Sequence, residues 1–315
     1  MSRDEQWFVH LVRLIGPTVI PCHSQELALQ GHDDSSLKKR MNKAIIFTDL
    51  DGTLLDSVEY SFVDALHALG LIQERNLPLV LCTSKTRAEI VVWRQHLHNS
   101  HPFISENGGG IFIPLGYFSM PIDAPVSEGY QLITLGKPYA EIRRSFVALR
   151  ERHEARVRGF ADMTVMEVAE LMGLSLDDSA LARQRDFDEP FVFDGAPDMQ
   201  FLQAIEDAGL GWTQGRIFHI MGRHDKGRAV RLLKELYERE FGAIVSIGLG
   251  DSLNDLPMLE SVDQPVLVRH SDGGFDQRVV VAGLRKTQFS GPRGWNEAML
   301  DLLSDSLKNT EQAGR

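Results

Sequence analysis

Cysteine is nearly absent: Cys22 and Cys82 are the only two in 315 residues, far apart and outside any CxxC or His-rich context. Neither a disulfide framework nor a zinc site follows, and a reducing, cytoplasmic setting is the default expectation. Long apolar runs are missing as well. The early stretch at residues 7–20 is broken by His10, Arg13 and Pro17 and preceded by Asp4 and Glu5. It is too short and too polar to span a bilayer, and it lacks the basic lead of a secretion signal. Positive charge is in deficit, with 33 Lys and Arg against 44 Asp and Glu and a formal net charge of −11. Phosphate backbones are bound mainly by cations that displace counterions, so this balance argues against nucleic acid as a partner. An anionic ligand therefore needs a local cationic site or a metal. Nothing in the composition sets an oligomeric state.

The length suits one large domain or two ordinary ones, and 43% hydrophobic against 24% charged residues is a globular balance. Residues 1–42 read as an N-terminal extension, polar over 31–36 and basic over Lys38-Lys39-Arg40, expected to be partly disordered. From Ala44 onward short apolar runs alternate with amphipathic stretches, the pattern of a parallel sheet with crossover helices. Strands are expected at Ala44–Thr48, Leu79–Cys82, 244–248 and 265–268. A helix opens at Lys226 with Ala229, Leu233, Leu236 and Tyr237 on one face. The middle of the chain differs, with longer polar helices, the charged run 183–189 and short strands near 191–193 and 217–220. The expected fold class is thus α/β: a Rossmann-like parallel-sheet core from residues 43–122 and 222–305, an α+β cap domain inserted over 123–221, and a tail at 306–315.

The strongest chemical signal is Asp49-Leu50-Asp51-Gly52-Thr53-Leu54, directly after the first strand. Open parallel sheets bind ligands beyond the carboxyl ends of their strands, and residues two apart on an extended chain project to one side. Both carboxylates can therefore converge on a site. Other phosphate and metal signatures are missing. A calcium loop of the EF-hand type would need Gly sixth and Glu twelfth, where this run has Gly52 fourth and Tyr60 twelfth. No GxxxxGK[ST] occurs, and Gly248-Leu249-Gly250 has Leu253 where a dinucleotide fingerprint has its third glycine.

A second cluster, Gly250-Asp251-Ser252-Leu253-Asn254-Asp255, also ends a strand. It can form an oxygen-rich cage for Mg²⁺ or, alternatively, a turn that caps the next helix. Thr83-Ser84-Lys85-Thr86 follows the second strand, where hydroxyls and free backbone N–H groups can hold a phosphate or simply cap a helix. A lone lysine such as Lys226, opening a helix after Asp225, ordinarily faces solvent, and only its position between the two clusters makes it a candidate phosphate ligand.

In this order, these four pieces resemble the haloacid dehalogenase superfamily over about residues 44–304. The resemblance implies Asp49 as nucleophile, Asp51 as general acid/base, and Thr83 and Lys226 as the phosphate-holding pair. It further implies Mg²⁺ held by Asp49, the Asp51 carbonyl and Asp251, with Asn254 and Asp255 orienting that shell. The long insertion is similar to the C2B type of cap. Within the superfamily, the strings at 82–89, 106–109, 183–191 and 291–295 resemble the mannosyl-3-phosphoglycerate phosphatase family. That implies hydrolysis of a small sugar-type phosphate ester, with substrate contacts from Ser84, Lys85, Asn107, Arg183 and Arg185. Arg183 and Arg185 are candidates for holding a substrate carboxylate, or they pair with Asp186, Asp188 and Glu189. Rival expectations are a related sugar phosphatase, a phosphomutase with the same cap, or a non-catalytic sugar-phosphate sensor.

Overall fold

The computed structural model describes residues 44–312, with side chains through residue 304; the N-terminal extension expected over 1–42 lies outside them. Among the described residues, thirteen strands form two sheets. In chain order these are β1 (Ala44–Thr48), β2 (Leu79–Cys82), β3 (Phe103–Ser105), β4 (Gly110–Pro114), β5 (Val126–Ser127) and β6 (Tyr130–Thr134). There follow β7 (Val157–Gly159), β8 (Asp188–Phe193), β9 (Gly211–Gln214), β10 (Phe218–Met221), β11 (Val245–Gly250), β12 (Gln264–Arg269) and β13 (Arg285–Ser290).

The large sheet runs β13-β12-β11-β1-β2-β3-β4-β6-β5. It is parallel from β13 to β3, and β4, β6 and β5 add antiparallel pairs at one edge. Strand β1 is apolar from Ala44 to Phe47 because both faces of the sheet are covered. Ile46 packs with Leu81, Trp295 and Met299 on one face. Ile45 and Phe47 pack with Val80, Leu233 and Tyr237 on the other. The Trp295 indole N–H donates to Thr48 Oγ1 at 3.0 Å, which satisfies two polar groups inside that core.

The small sheet, β7-β8-β10-β9, is antiparallel. The helices Tyr139–Arg152 and Met199–Asp207 contribute Phe146, Phe201 and Ile205 to its own core with Phe191 and Ile220. Strands β5 and β6 lie within the 123–221 segment but pair with the large sheet, so that segment divides between the two sheets. The last helix, Gly291–Gln312, runs on through most of the stretch expected as a tail. Among the described residues, no helix is long and apolar enough to cross a membrane.

The order of strands places the switch in chain direction at β1. The chain moves from β1 to β2 and β3 on one side, then returns to β11 on the other, with Thr48 level with both Leu81 and Leu249. The crevice beyond such a switch is where open α/β sheets bind ligands. Here it receives the segments that follow β1, β2 and β11.

Candidate active site

Asp49 is the first residue past β1, buried, and its backbone N–H donates to the Leu249 carbonyl at 2.9 Å. The chain then turns through Gly52 at φ +79, where a Cβ would meet Asp251 Oδ2 at 2.7 Å. Only glycine meets both conditions, and the turn so formed brings the β1 and β11 loops into contact. Thr53 Oγ1 donates to Asp251 Oδ1 at 3.3 Å across that contact.

Lys226 opens the helix Lys226–Phe241, which Asp225 caps by accepting from the Arg228 N–H. Gly108, at φ +96, allows the β3–β4 turn to lie against that start, since a Cβ there would fall 2.2 Å from the Asp225 carbonyl. The Lys226 side chain is fully buried, and its Nζ donates to Asp49 Oδ1 at 2.7 Å and Asp255 Oδ1 at 2.6 Å. Asp255 Oδ2 accepts from the backbone N–H groups of Asp251 and Ser252, at 2.9 and 3.1 Å. The capping reading of this loop is what these bonds form: Ser252 precedes the short helical turn Leu253–Asp255, and the Asp255 carboxylate returns to its backbone N–H.

Asp49, Asp251 and Asp255 each offer an oxygen within 4.8 Å of the others. Burial raises the Asp49 carboxyl to about 7 despite the opposing charge of Lys226, and Asp255 and Asp51 add to the rise. Burial also lifts Asp251 well above the usual carboxylate range, with Asp255 and Asp49 reinforcing it. Crowded carboxylates of this kind are stabilised by a cation, and an all-oxygen donor set suits a hard divalent ion such as Mg²⁺. The buried Asp51 Oδ1 has no hydrogen-bond partner. Because both Asp255 oxygens are already engaged, Asp49 and Asp251 are the freer ligands.

The β2 end supplies the opposite wall. Thr86, not Thr83 or Ser84, caps the helix Arg87–His96, in a reciprocal pair with Glu89. Thr83 is fully buried, and its Oγ1 accepts from the Lys85 N–H at 3.3 Å. Lys85 is buried too, with Nζ 2.8 Å from Asp51 Oδ2 and 3.6 Å from Glu89 Oε1. Burial alone would lower its pKa, but Asp51 and Glu89 outweigh that and hold it above the usual lysine range.

The small sheet roofs the cleft. Asp49, Asp51, Ser84, Lys85, Asp251 and Asn254 line it from the large-sheet side. Arg185, Arg216, His219, Phe160 and Met172 line it from the other. Of the residues expected at the site, Asn107 lies behind this wall, bridging Asn254 and Asp188 at 3.1 Å each. Arg183 does not line the cleft; it ends the helix Leu176–Ala182 and donates to the Phe160 carbonyl at 3.3 Å.

Arg185 is at the cleft but heavily engaged. It donates to the buried Asp188 through Nε at 2.9 Å and through Nη2, lies 3.5 Å from Glu106, and donates to the Ser84 carbonyl at 2.8 Å. Glu106 and Asn107 are held at positive φ, 46° and 56°. That strained turn aims the Glu106 carboxylate at the backbone N–H groups of Asp186, Phe187 and Asp188. Asp188 also accepts from Asn107 and contacts His219 Nδ1 at 2.9 Å. Burial would raise the Asp188 pKa, but Arg185 and His219 overcome it and hold the carboxyl well below the usual range.

Asp188→Asn is expected to cost about 3–5 kcal/mol, the scale of breaking a buried ion pair while its partner charge stays. A depressed carboxyl stabilises the fold above its unfolded pKa of about 4 and loses that contribution as pH falls through the lower folded value. Urea midpoints should therefore separate parent and variant at pH 7 and converge in strong acid; a constant gap at every pH would refute the linkage.

Tyr60, Arg216, His219 and Glu106 have no role that the sequence assigns, whereas Asp188 is the expected alternative partner of Arg185 and forms that pair. Asp188 sits in the quoted 183–191 string, and Glu106 in the 106–109 string, but both act through partners distant in the chain. Arg216 stands in a hairpin turn with no local signature at all.

A family model described as haloacid dehalogenase-like hydrolase matches residues 46–117. A protein of Methanococcoides burtonii named glucosyl-3-phosphoglycerate/mannosyl-3-phosphoglycerate phosphatase is 44% identical over 83% of this chain and 97% of its own length. A protein of the same name from Persephonella marina is 40% identical over the same shares. Among solved structures, a haloacid dehalogenase-like hydrolase from Bacteroides thetaiotaomicron superposes with a TM-score of 0.58 at 18% identity, over 83% of this chain and 99% of that one.

Proposed function

The chain belongs to the haloacid dehalogenase-like hydrolases as a phosphoric monoester hydrolase, and on that premise we propose that it releases phosphate from mannosyl- or glucosyl-3-phosphoglycerate, with Asp49 as nucleophile. The observation that carries this reading is the buried contact of Asp49 with Lys226 at the strand-end cluster of three carboxylates, facing a roofed cleft. The names of the two relatives support the substrate.

In this reading Asp49 attacks phosphorus in line and the bond to the glycerate oxygen breaks, leaving an aspartyl-phosphate and an alkoxide. Asp51 gives the alkoxide its proton, then takes one from the water that hydrolyses the intermediate. Lys226 and Thr83 hold the transferring oxygens. Asp49, Asp251 and the Asp51 carbonyl would hold a Mg²⁺ ion, which when bound would supply positive charge to offset the repulsion between a carboxylate and a phosphate dianion. Asn254 and Asp255 keep that shell in place. The small sheet excludes bulk water during the first step.

Phosphate release across a panel of phosphoglycerate glycosides and free sugar phosphates tests the substrate. The two glycosyl-3-phosphoglycerates are expected to give the highest kcat/KM; a free hexose phosphate turned over faster would overturn the assignment. Turnover is also expected to stop in excess chelator and to return with Mg²⁺ but poorly with Ca²⁺, whose looser coordination does not preserve in-line geometry. Full turnover in chelator would remove the metal from the mechanism.

A further inference from the structure

The cleft wall carries three arginine and lysine side chains, and their commitments differ. Lys85 is bound to Asp51 and Glu89. Arg185 is bound to Asp188, Glu106 and the Ser84 carbonyl, in surroundings that are almost wholly buried. For either to take up a ligand anion, a buried carboxylate would have to lose its counter-charge, which is costly.

Arg216 has no such commitment. It lies exposed at the cleft, in the tight turn between β9 and β10 that is closed by Gly215 N–H donating to the Ile217 carbonyl. Among the described residues its side-chain partner is the neutral hydroxyl of Tyr60, which accepts from Nη1 at 3.0 Å. One of five guanidinium N–H donors is thus used. Tyr60 is itself fixed, since its hydroxyl donates to the Met172 carbonyl at 3.1 Å and its ring lies 5.1 Å from the Lys85 ammonium. Arg216 is therefore aimed at the same side of the cleft as Lys85 and Asp51, with its charge uncompensated.

We propose that Arg216 binds the carboxylate of the substrate while the phosphate lies at Asp49, and so sets the preference for phosphoglycerate esters over neutral phosphate esters. The proposal rests on the substrate reading above. In a 3-phosphoglycerate the carboxylate is attached only two carbons from the one that bears the phosphate, so it must be met on the cleft wall near the cluster and not inside it. A planar guanidinium with its second edge open offers a carboxylate two parallel hydrogen bonds. Arg185, expected from sequence to do this, instead positions the roof, and Arg183 is not among the residues that line the cleft, its Nε donating to the Phe160 carbonyl.

The test compares mannosyl-3-phosphoglycerate with an analogue in which a hydroxymethyl group replaces the carboxylate. For the parent, kcat/KM should be roughly 10- to 100-fold higher for the carboxylate ester, the range for hydrogen bonds to a charged group. In Arg216→Ala that ratio should fall close to one, chiefly through KM, and Arg216→Lys should recover part of it. A ratio unchanged in Arg216→Ala, or one that collapses in Arg185→Gln but not in Arg216→Ala, would overturn the proposal while leaving the substrate intact. A parent that releases no phosphate from the phosphoglycerate ester yet hydrolyses other sugar phosphates would overturn the substrate reading and this inference together.

Discussion

Asp49→Asn is expected to fold as the parent does and to release phosphate more slowly by roughly 10⁴- to 10⁶-fold, the scale on which loss of a covalent nucleophile is felt. The amide keeps the shape of the carboxylate and can still contact Lys226 at the end of β1. It cannot attack phosphorus as an anion, and it is a weaker ligand for a hard cation. Two effects therefore fall on one residue, and a second readout separates them. A titration of Mg²⁺ affinity by calorimetry should show weakened binding, whereas a burst of phosphoenzyme in rapid quench, expected of the parent, should vanish. Measurable steady turnover by carefully purified variant, above about one part in 10³ of the parent rate, would place the nucleophile elsewhere. Asp51→Asn is a milder case, because general acid/base help is worth on the order of 10²- to 10⁴-fold and a good leaving group needs little of it.

The parts of this centre that could be read from sequence are those in which chemistry and secondary structure share a few consecutive residues. Ala44–Thr48 is an apolar run that has no amphipathic alternative, and Asp49-Leu50-Asp51-Gly52 follows it at once, so strand, turn and carboxylates announce one another. Lys226 was legible for a similar reason, as it opens a helix whose apolar face repeats at helical spacing. What escaped is what depends on pairing at long range. Strand β13, Arg285–Ser290, carries almost no apolar signal, and β3 is three residues long, so neither has a pattern to detect. Strands β5 and β6 follow a break in texture near residue 123, yet their backbone finds the open edge of β4. Arg185 and Asp188 are three apart in sequence, which suggested a solvated charge cluster. Their burial is decided by Glu106 and Asn107, about eighty residues earlier. Charge patterning alone does not distinguish an exposed pair from a buried one, because the difference lies in which other segment covers it.

Lys226→Met should be the variant with the largest combined loss of stability and activity. The parent lysine is fully buried between Asp49 and Asp255, at 2.7 and 2.6 Å. Burial alone would lower its pKa, but Asp255 and Asp49 overrule it and hold the ammonium charged well above the usual lysine range. A raised lysine contributes stability that is complete below its unfolded pKa of about 10.4 and is lost only as pH rises through the folded value, so its full contribution is present at neutral pH. Replacing it with an apolar side chain of similar length fills the space but leaves Asp49, Asp251 and Asp255 crowded without that charge. The expected cost is about 3–5 kcal/mol, as for other buried ion pairs that lose one partner. Asp49 and Asp251, both already raised by burial, can escape by taking up protons, and Asp49, at about 7 beside Lys226, is pushed higher when the lysine is gone. An acid with a raised folded pKa favours the fold as pH falls, so the gap between parent and variant should narrow from pH 8 to pH 5. Added Mg²⁺ should narrow it further, because a ligand that binds only the folded state stabilises it by mass action. Turnover should fall by at least the order of 10²-fold typical for loss of one transition-state charge contact, even with the metal saturating. A variant as stable as the parent at pH 8, with no greater dependence on Mg²⁺, would mean that the cluster is not held together by this lysine.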